Sequence, residues 1–142
     1  MVKCFICIRD RGIMRKYCPR CRKFVYRAGN KAAHVLALIL DYDPVTDTFR
    51  CHYTKIPLEE NDSKSPRYLT FDHLEPGGKE KGNLVLTFAL YNEGKTDMTY
   101  EEHVAFCREV VRAHDGGKFD EKVLKLKYWL RMARQGRARM RR

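Results

Sequence analysis

Two C-x-x-C pairs, Cys4-Phe5-Ile6-Cys7 and Cys18-Pro19-Arg20-Cys21, lie ten residues apart near the head of this 142-residue chain. No other feature restricts the fold as much. Each pair makes a tight knuckle that aims two thiols at one point, and two knuckles complete a tetrahedral four-sulfur zinc site. Four thiolates leave no open coordination position, so the expected zinc is structural rather than catalytic. Lys3, Arg9, Arg20, Arg22 and Lys23 stand beside the ligands and offset the charge of a tetrathiolate. Disulfides or a redox pair are the competing readings. Two matched knuckles in a chain with no secretory signal argue against both, because intracellular thiols stay reduced. Met1-Val2-Lys3 runs directly into Cys4, and no stretch has the ~18 apolar residues of a membrane span. The expected location is the cytoplasm, as for a prokaryotic or phage-encoded protein, with no membrane partner.

A chain of this length fits one domain with a small appended module. Its core is modest, since chains of this size bury only about 68–70% of their extended surface, so a metal staple helps. The net charge of +11 is unevenly placed. Residues 1–27 carry nine Lys/Arg against Asp10 alone, and residues 122–142 carry nine Lys/Arg and no acid. The middle of the chain is slightly acidic. Two basic ends around an acidic centre form the electrostatic footprint of a polyanion binder, and nucleic acid is the first candidate. A merely basic protein, or a disordered cationic tail, gives the same count.

Asn30 to about Tyr42 reads as a helix. Ala33, Leu36 and Leu40, with Ala32, Val35 and Ile39, recur at helical spacing, Asn30 can cap the start, and Pro44 lies beyond the end. The run is also apolar enough for a buried strand. Residues 48–53 should form a short strand, and Pro57 to Pro66 a polar loop. Residues 67–73 are rich in aromatic and β-branched side chains and predict the next strand. Pro76-Gly77-Gly78 opens a loop, and Leu84-Val85-Leu86 returns as the second strand of a hairpin. A short helix should follow from Thr87 to Asn92 and end at Gly94. Thr99 and Glu102 make a capping box for a helix through Val104, Phe106, Val110 and Val111, ending near Gly116. A last helix is expected from Asp120 to about Gln135. Cys51 and Cys107 read as core residues and His34 as a packed histidine. His103 and His114 belong to the surface, and His52 is adjacent to a strand residue and could approach the site.

One stretch has the residue types for chemistry: Asp72-His73, then Asn83, Asn92 and Lys95. Hydrolysing a phosphodiester requires a base for the attacking water, a cation against growing negative charge, and in-line geometry. A neutral His73 can take the proton. Asp72 and Asn92 offer two hard oxygen donors, which suit hydrated Mg²⁺ or Mn²⁺. Lys95 lies about one helical turn from Asn92. In a regular strand Asp72 and His73 point to opposite faces, so a bend near Pro76 is needed to turn both toward one phosphate.

Residues from about Cys51 to Asp97 resemble the ββα-metal core of HNH endonucleases, including the nuclease domain of that type in RNA-guided CRISPR effectors. The likeness rests on Asp72-His73, Gly82-Asn83-Leu84-Val85-Leu86-Thr87 and Asn92-Glu93-Gly94-Lys95-Thr96-Asp97. It implies that His73 is the general base and that Asp72 and Asn92 hold the catalytic divalent ion. It further implies that Asn83 braces the loop and that Lys95 contacts phosphate. Asn92 stands where many members have histidine, an H-N-N form that favours Mg²⁺ over nitrogen-preferring metals. The implied fold is α+β. A four-cysteine zinc module (1–28) and a connecting helix (29–47) lead into the HNH, or His-Me finger, core and its following helix (48–117). A basic C-terminal helix and tail (118–142) closes the chain.

The resemblance implies a monomeric or homodimeric DNA endonuclease, most simply one acting on duplex DNA and leaving 5′-phosphate and 3′-hydroxyl ends. The alternative is a zinc-containing nucleic-acid-binding protein without catalysis.

Overall fold

A computed structural model describes residues 2–7, 10–13, 16–27, 31–78 and 82–123. The chain is mixed α and β, with three two-stranded antiparallel sheets among the described residues. Packing divides it into two compact units, Met1–Gly94 and Lys95–Arg142.

The first unit starts with β1 (Val2–Lys3) and β2 (Asp10–Ile13), paired antiparallel across the first cysteine knuckle. Helix α1 (Pro19–Val25) begins inside the second knuckle, with Cys18 at its N-cap and Pro19 at its first position. Proline suits that position because its missing N–H would have no helical partner. Helix α2 (Lys31–Leu40) fulfils the expected helix; its proposed cap, Asn30, lies outside the described residues. β3 (Tyr42–Asp43) and β4 (Thr48–Phe49) then form a small hairpin, with Asp47 in the left-handed region at φ 54°. The strand expected over 48–53 therefore stops early. The chain bends at residues 52–54, where the Lys55 amide donates to the Cys51 carbonyl at 2.9 Å.

β5 (Leu69–His73) and β6 (Leu84–Phe88) pair in an unbroken register, from Leu69 opposite Phe88 to His73 opposite Leu84. Helix α3 (Ala89–Lys95) follows at once. It starts two residues later than its sequence predicts, because Thr87 and Phe88 still belong to the sheet. Gly94 does not end it; the left-handed residue after the helix is Thr96, at φ 51°.

The cysteines are not peripheral to the core of this unit. Cys4, Cys7, Cys18 and Cys21 are buried in one apolar cluster with Phe24, Leu38, Phe49, Leu69 and Leu86. His34 is buried as expected. Its ring stacks on Phe71, with centroids 4.2 Å apart, and Nδ1 lies 3.4 Å from the Val25 carbonyl. Burial, with the nearby charge of Arg27, lowers its pKa and so favours the neutral ring.

In the second unit α4 (Tyr100–His114) is capped by Thr99, whose hydroxyl accepts from the Glu102 amide at 3.1 Å. Gly116, at φ 88°, turns the chain away after the Asp115 C-cap. The packed face of α4 is not the one its valines predict. Val110 and Val111 are exposed, while Glu109 is buried and accepts from the Asp120 amide at 2.9 Å. Cys107, expected in the core, is exposed and lies one helical turn from His103. A 3₁₀ turn spans Glu121–Val123, and the rest of the expected last helix lies outside the described residues.

Candidate functional site

Sulfur geometry defines the first candidate site. The Sγ atoms of Cys4, Cys7, Cys18 and Cys21 all lie within 4.8 Å of one another, and all four residues are buried. Cys7 Sγ and Cys18 Sγ are 3.8 Å apart. A tetrahedron with zinc–sulfur bonds of about 2.3 Å has an edge of about 3.8 Å, so the pair already stands at ligand spacing. The Cys18 amide donates to Cys4 Sγ at 3.4 Å. Burial pushes the Cys4 thiol up, but the amides of Cys18, Cys7 and Ile6 outweigh it and bring the pKa to about 7. Cys21 moves the other way, pushed up by burial and by the charge of the neighbouring thiolates. Four buried thiolates repel one another, and a bound cation such as zinc removes that conflict.

The same segment is clamped to the loops beyond it by Arg20, which lies between two of the cysteines. Arg20 Nε and Nη2 grip the Glu60 carboxylate at 2.5 and 2.8 Å. Its Nη1 reaches Asp47 Oδ1 at 2.6 Å, and Nη2 also donates to the Asp47 carbonyl at 2.8 Å. Its guanidinium lies over the Phe49 ring, 4.9 Å from the centroid.

The β5–β6 hairpin and α3 carry the second candidate site. Asp72 is buried and accepts a hydrogen bond from Tyr53 Oη at 2.7 Å. His73, on the last rung of the ladder, is exposed. Because the ladder is regular to its end, Asp72 shares a face with Thr70, and His73 with Phe71. The turn lies beyond His73, at residues 74–77, where Gly77 takes φ 76°.

Asn83 laces that turn shut. Its Oδ1 accepts from the Glu75 amide at 2.8 Å, and Nδ2 donates to the carbonyls of Glu75 and Gly78 at 3.0 and 3.1 Å. A Cβ on residue 78 would stand 2.7 Å from that Nδ2, so any side chain there would push the Asn83 amide out of place. Asn92, in the middle of α3, donates from Nδ2 to the Phe71 carbonyl at 3.2 Å and to Thr70 Oγ1 at 3.4 Å. Asn92 is thereby held against the residue preceding Asp72. Lys95, the last residue of α3, is fully buried.

Several residues important to this arrangement escape sequence reading. Asp41 Oδ2 accepts from the Leu86 amide at 3.1 Å, and Asp41 Oδ1 lies 2.9 Å from His52 Nδ1. The His52 amide donates to the Leu86 carbonyl at 2.8 Å. Together these bonds satisfy the outward N–H and carbonyl of Leu86 at the outer edge of β6. Neither this pair nor Tyr53 belongs to a spaced motif; Arg20 stands inside the second knuckle, where it was expected to offset thiolate charge, but its carboxylate partners lie 27 and 40 positions away, so no local signal announces these contacts.

Comparison with known proteins finds no matching family model, curated protein or solved structure. Among the described residues no helix is long and apolar enough to cross a membrane.

Proposed function

We propose that this chain is a metal-dependent endonuclease of the HNH type, acting on DNA phosphodiester bonds and stapled by a structural zinc on Cys4, Cys7, Cys18 and Cys21. The observation that carries the reading is the asparagine pair. Asn83 ties the loop that follows Asp72-His73, and Asn92 bonds back from the next helix to the Phe71 carbonyl. A hairpin, a loop laced by its own asparagine, and a following helix whose Asn92 bonds to the first strand support this reading.

Asp72 and Asn92 would hold the divalent ion, their oxygen donors suiting Mg²⁺ or Mn²⁺. When bound, that ion offsets negative charge building on the phosphoryl and leaving oxygens. His73, exposed at the end of β5, would take a proton from the attacking water. Asn83 would hold the chain beyond His73 still. Lys95 supports the reading least, since a phosphate contact would require its buried ammonium to be uncovered.

One observation favours a second reading, a zinc-containing nucleic-acid-binding protein without catalysis. On the unbroken ladder Asp72 and His73 point to opposite faces, and joint action at one phosphate needs them to converge. A supercoiled-plasmid nicking assay separates the two readings. With Mg²⁺ or Mn²⁺ the parent should nick, and His73→Ala should nick on the order of a hundredfold more slowly or worse, with DNA binding within twofold of the parent. Equal rates would remove His73 from the role of base. DNA binding with no metal-dependent nicking would favour the second reading.

A further inference from the structure

Tyr53 lies in the bend that ends β4, and that bend is pinned on every side. The Cys51 amide donates to the Ile56 carbonyl at 3.0 Å, and the neighbouring His52 amide is bonded to β6. The phenol ring packs on His52 edge-on, at 5.7 Å between centroids, and on Tyr91 of α3 at 5.5 Å. Tyr91 directly precedes Asn92. One side chain therefore touches both arms of the candidate ion site: Asp72 through its hydroxyl, and the helix bearing Asn92 through its ring.

We propose that Tyr53 is a positioning residue for a divalent ion at Asp72, its hydroxyl fixing how the carboxylate is turned. The inference rests on the nuclease reading above and adds a residue to it. A buried carboxylate on a strand can rotate about its last torsion, and a short hydrogen bond to one oxygen removes that freedom.

Manganese uptake by the zinc-loaded full chain tests this, read from the loss of the free Mn²⁺ signal in electron paramagnetic resonance. The parent should take up Mn²⁺, Asp72→Asn should abolish that uptake, and Tyr53→Phe should weaken it about ten- to hundredfold. Tyr53→Phe keeps the ring and its contacts, so its melting temperature should stay near the parent's. Its nicking rate should recover at saturating Mn²⁺, which a general structural defect would not allow. Uptake by Tyr53→Phe equal to the parent's overturns the proposal. So does a nicking loss that excess Mn²⁺ does not repair. If the parent takes up no more Mn²⁺ than Asp72→Asn, the nuclease reading falls and this proposal with it. An Asp72-dependent parent beside an unaffected Tyr53→Phe sinks the positioning role alone.

Discussion

Asn83 makes three side-chain hydrogen bonds to one loop, and each closes a backbone group between Glu75 and Gly78. Backbone polar groups in a turn otherwise rely on water, so the asparagine trades solvation for a fixed shape. Net gains per bond are small, about 0.5–1.5 kcal/mol. The expected effect of Asn83→Ala is therefore modest on stability and larger on activity: a loss of about 1–3 kcal/mol, and a fall in plasmid nicking of at least about tenfold through the chain after His73. Thermal melts and nicking rates on the same preparation check this. Wild-type nicking by Asn83→Ala would show that the loop need not be held. The turn itself was legible in Pro76-Gly77-Gly78, where Gly77 takes a left-handed φ, while the bracing role of Asn83 was expected from the family resemblance alone. Tyr53 was not legible. Its bond to Asp72 spans 19 positions with no repeating spacing, and only the tertiary path of the chain brings the two together.

At the scale of elements, hydrophobic period and caps located most of what they should. The apolar run over 31–40 became α2, and the aromatic and β-branched run ending at His73, with the short apolar run Leu84-Val85-Leu86, became the hairpin. The misplaced boundaries have physical reasons. β6 extends through Thr87, whose hydroxyl lies 3.5 Å from Cys51 Sγ inside the sheet packing, so α3 cannot begin there. α4 shows the opposite case, a cap that is read correctly and a face that is not. Val110 and Val111 lie outward while Glu109 is turned inward to bond the chain at Asp120. Removing that cap should loosen the helix. Thr99→Ala should cost about 1 kcal/mol, read as a lower melting point and reduced helical dichroism, with Thr99→Ser close to the parent. No change in Thr99→Ala would mean that the helix start is held by something else.

For the first unit as a whole, the cysteine cluster and the hairpin share one core. Clusters of this kind derive folding energy from their metal, because the site does not exist in the unfolded chain. Stripping the metal with a strong chelator, or making Cys21→Ser, should abolish the near-ultraviolet dichroism of Phe24, Phe49 and Tyr42 and the cooperative melt that goes with it. The untreated parent should hold one zinc per chain. An unchanged melt after complete metal removal would show that the apolar packing suffices alone. The cysteine cluster was legible through its spacing, but not the depth at which it is buried, since burial depends on α2, β4 and the hairpin arriving from elsewhere.

Arg20 lies between two of the clustered cysteines, and its guanidinium is tied to loops elsewhere in the chain. Four of its N–H groups are committed to Asp47 and Glu60, a pattern that lysine, with a single ammonium, cannot reproduce. The knuckle is thus no portable cassette. Transplanted to another scaffold it would bring along an arginine with nothing to hold, and its donor would keep two acids deprived of their cation.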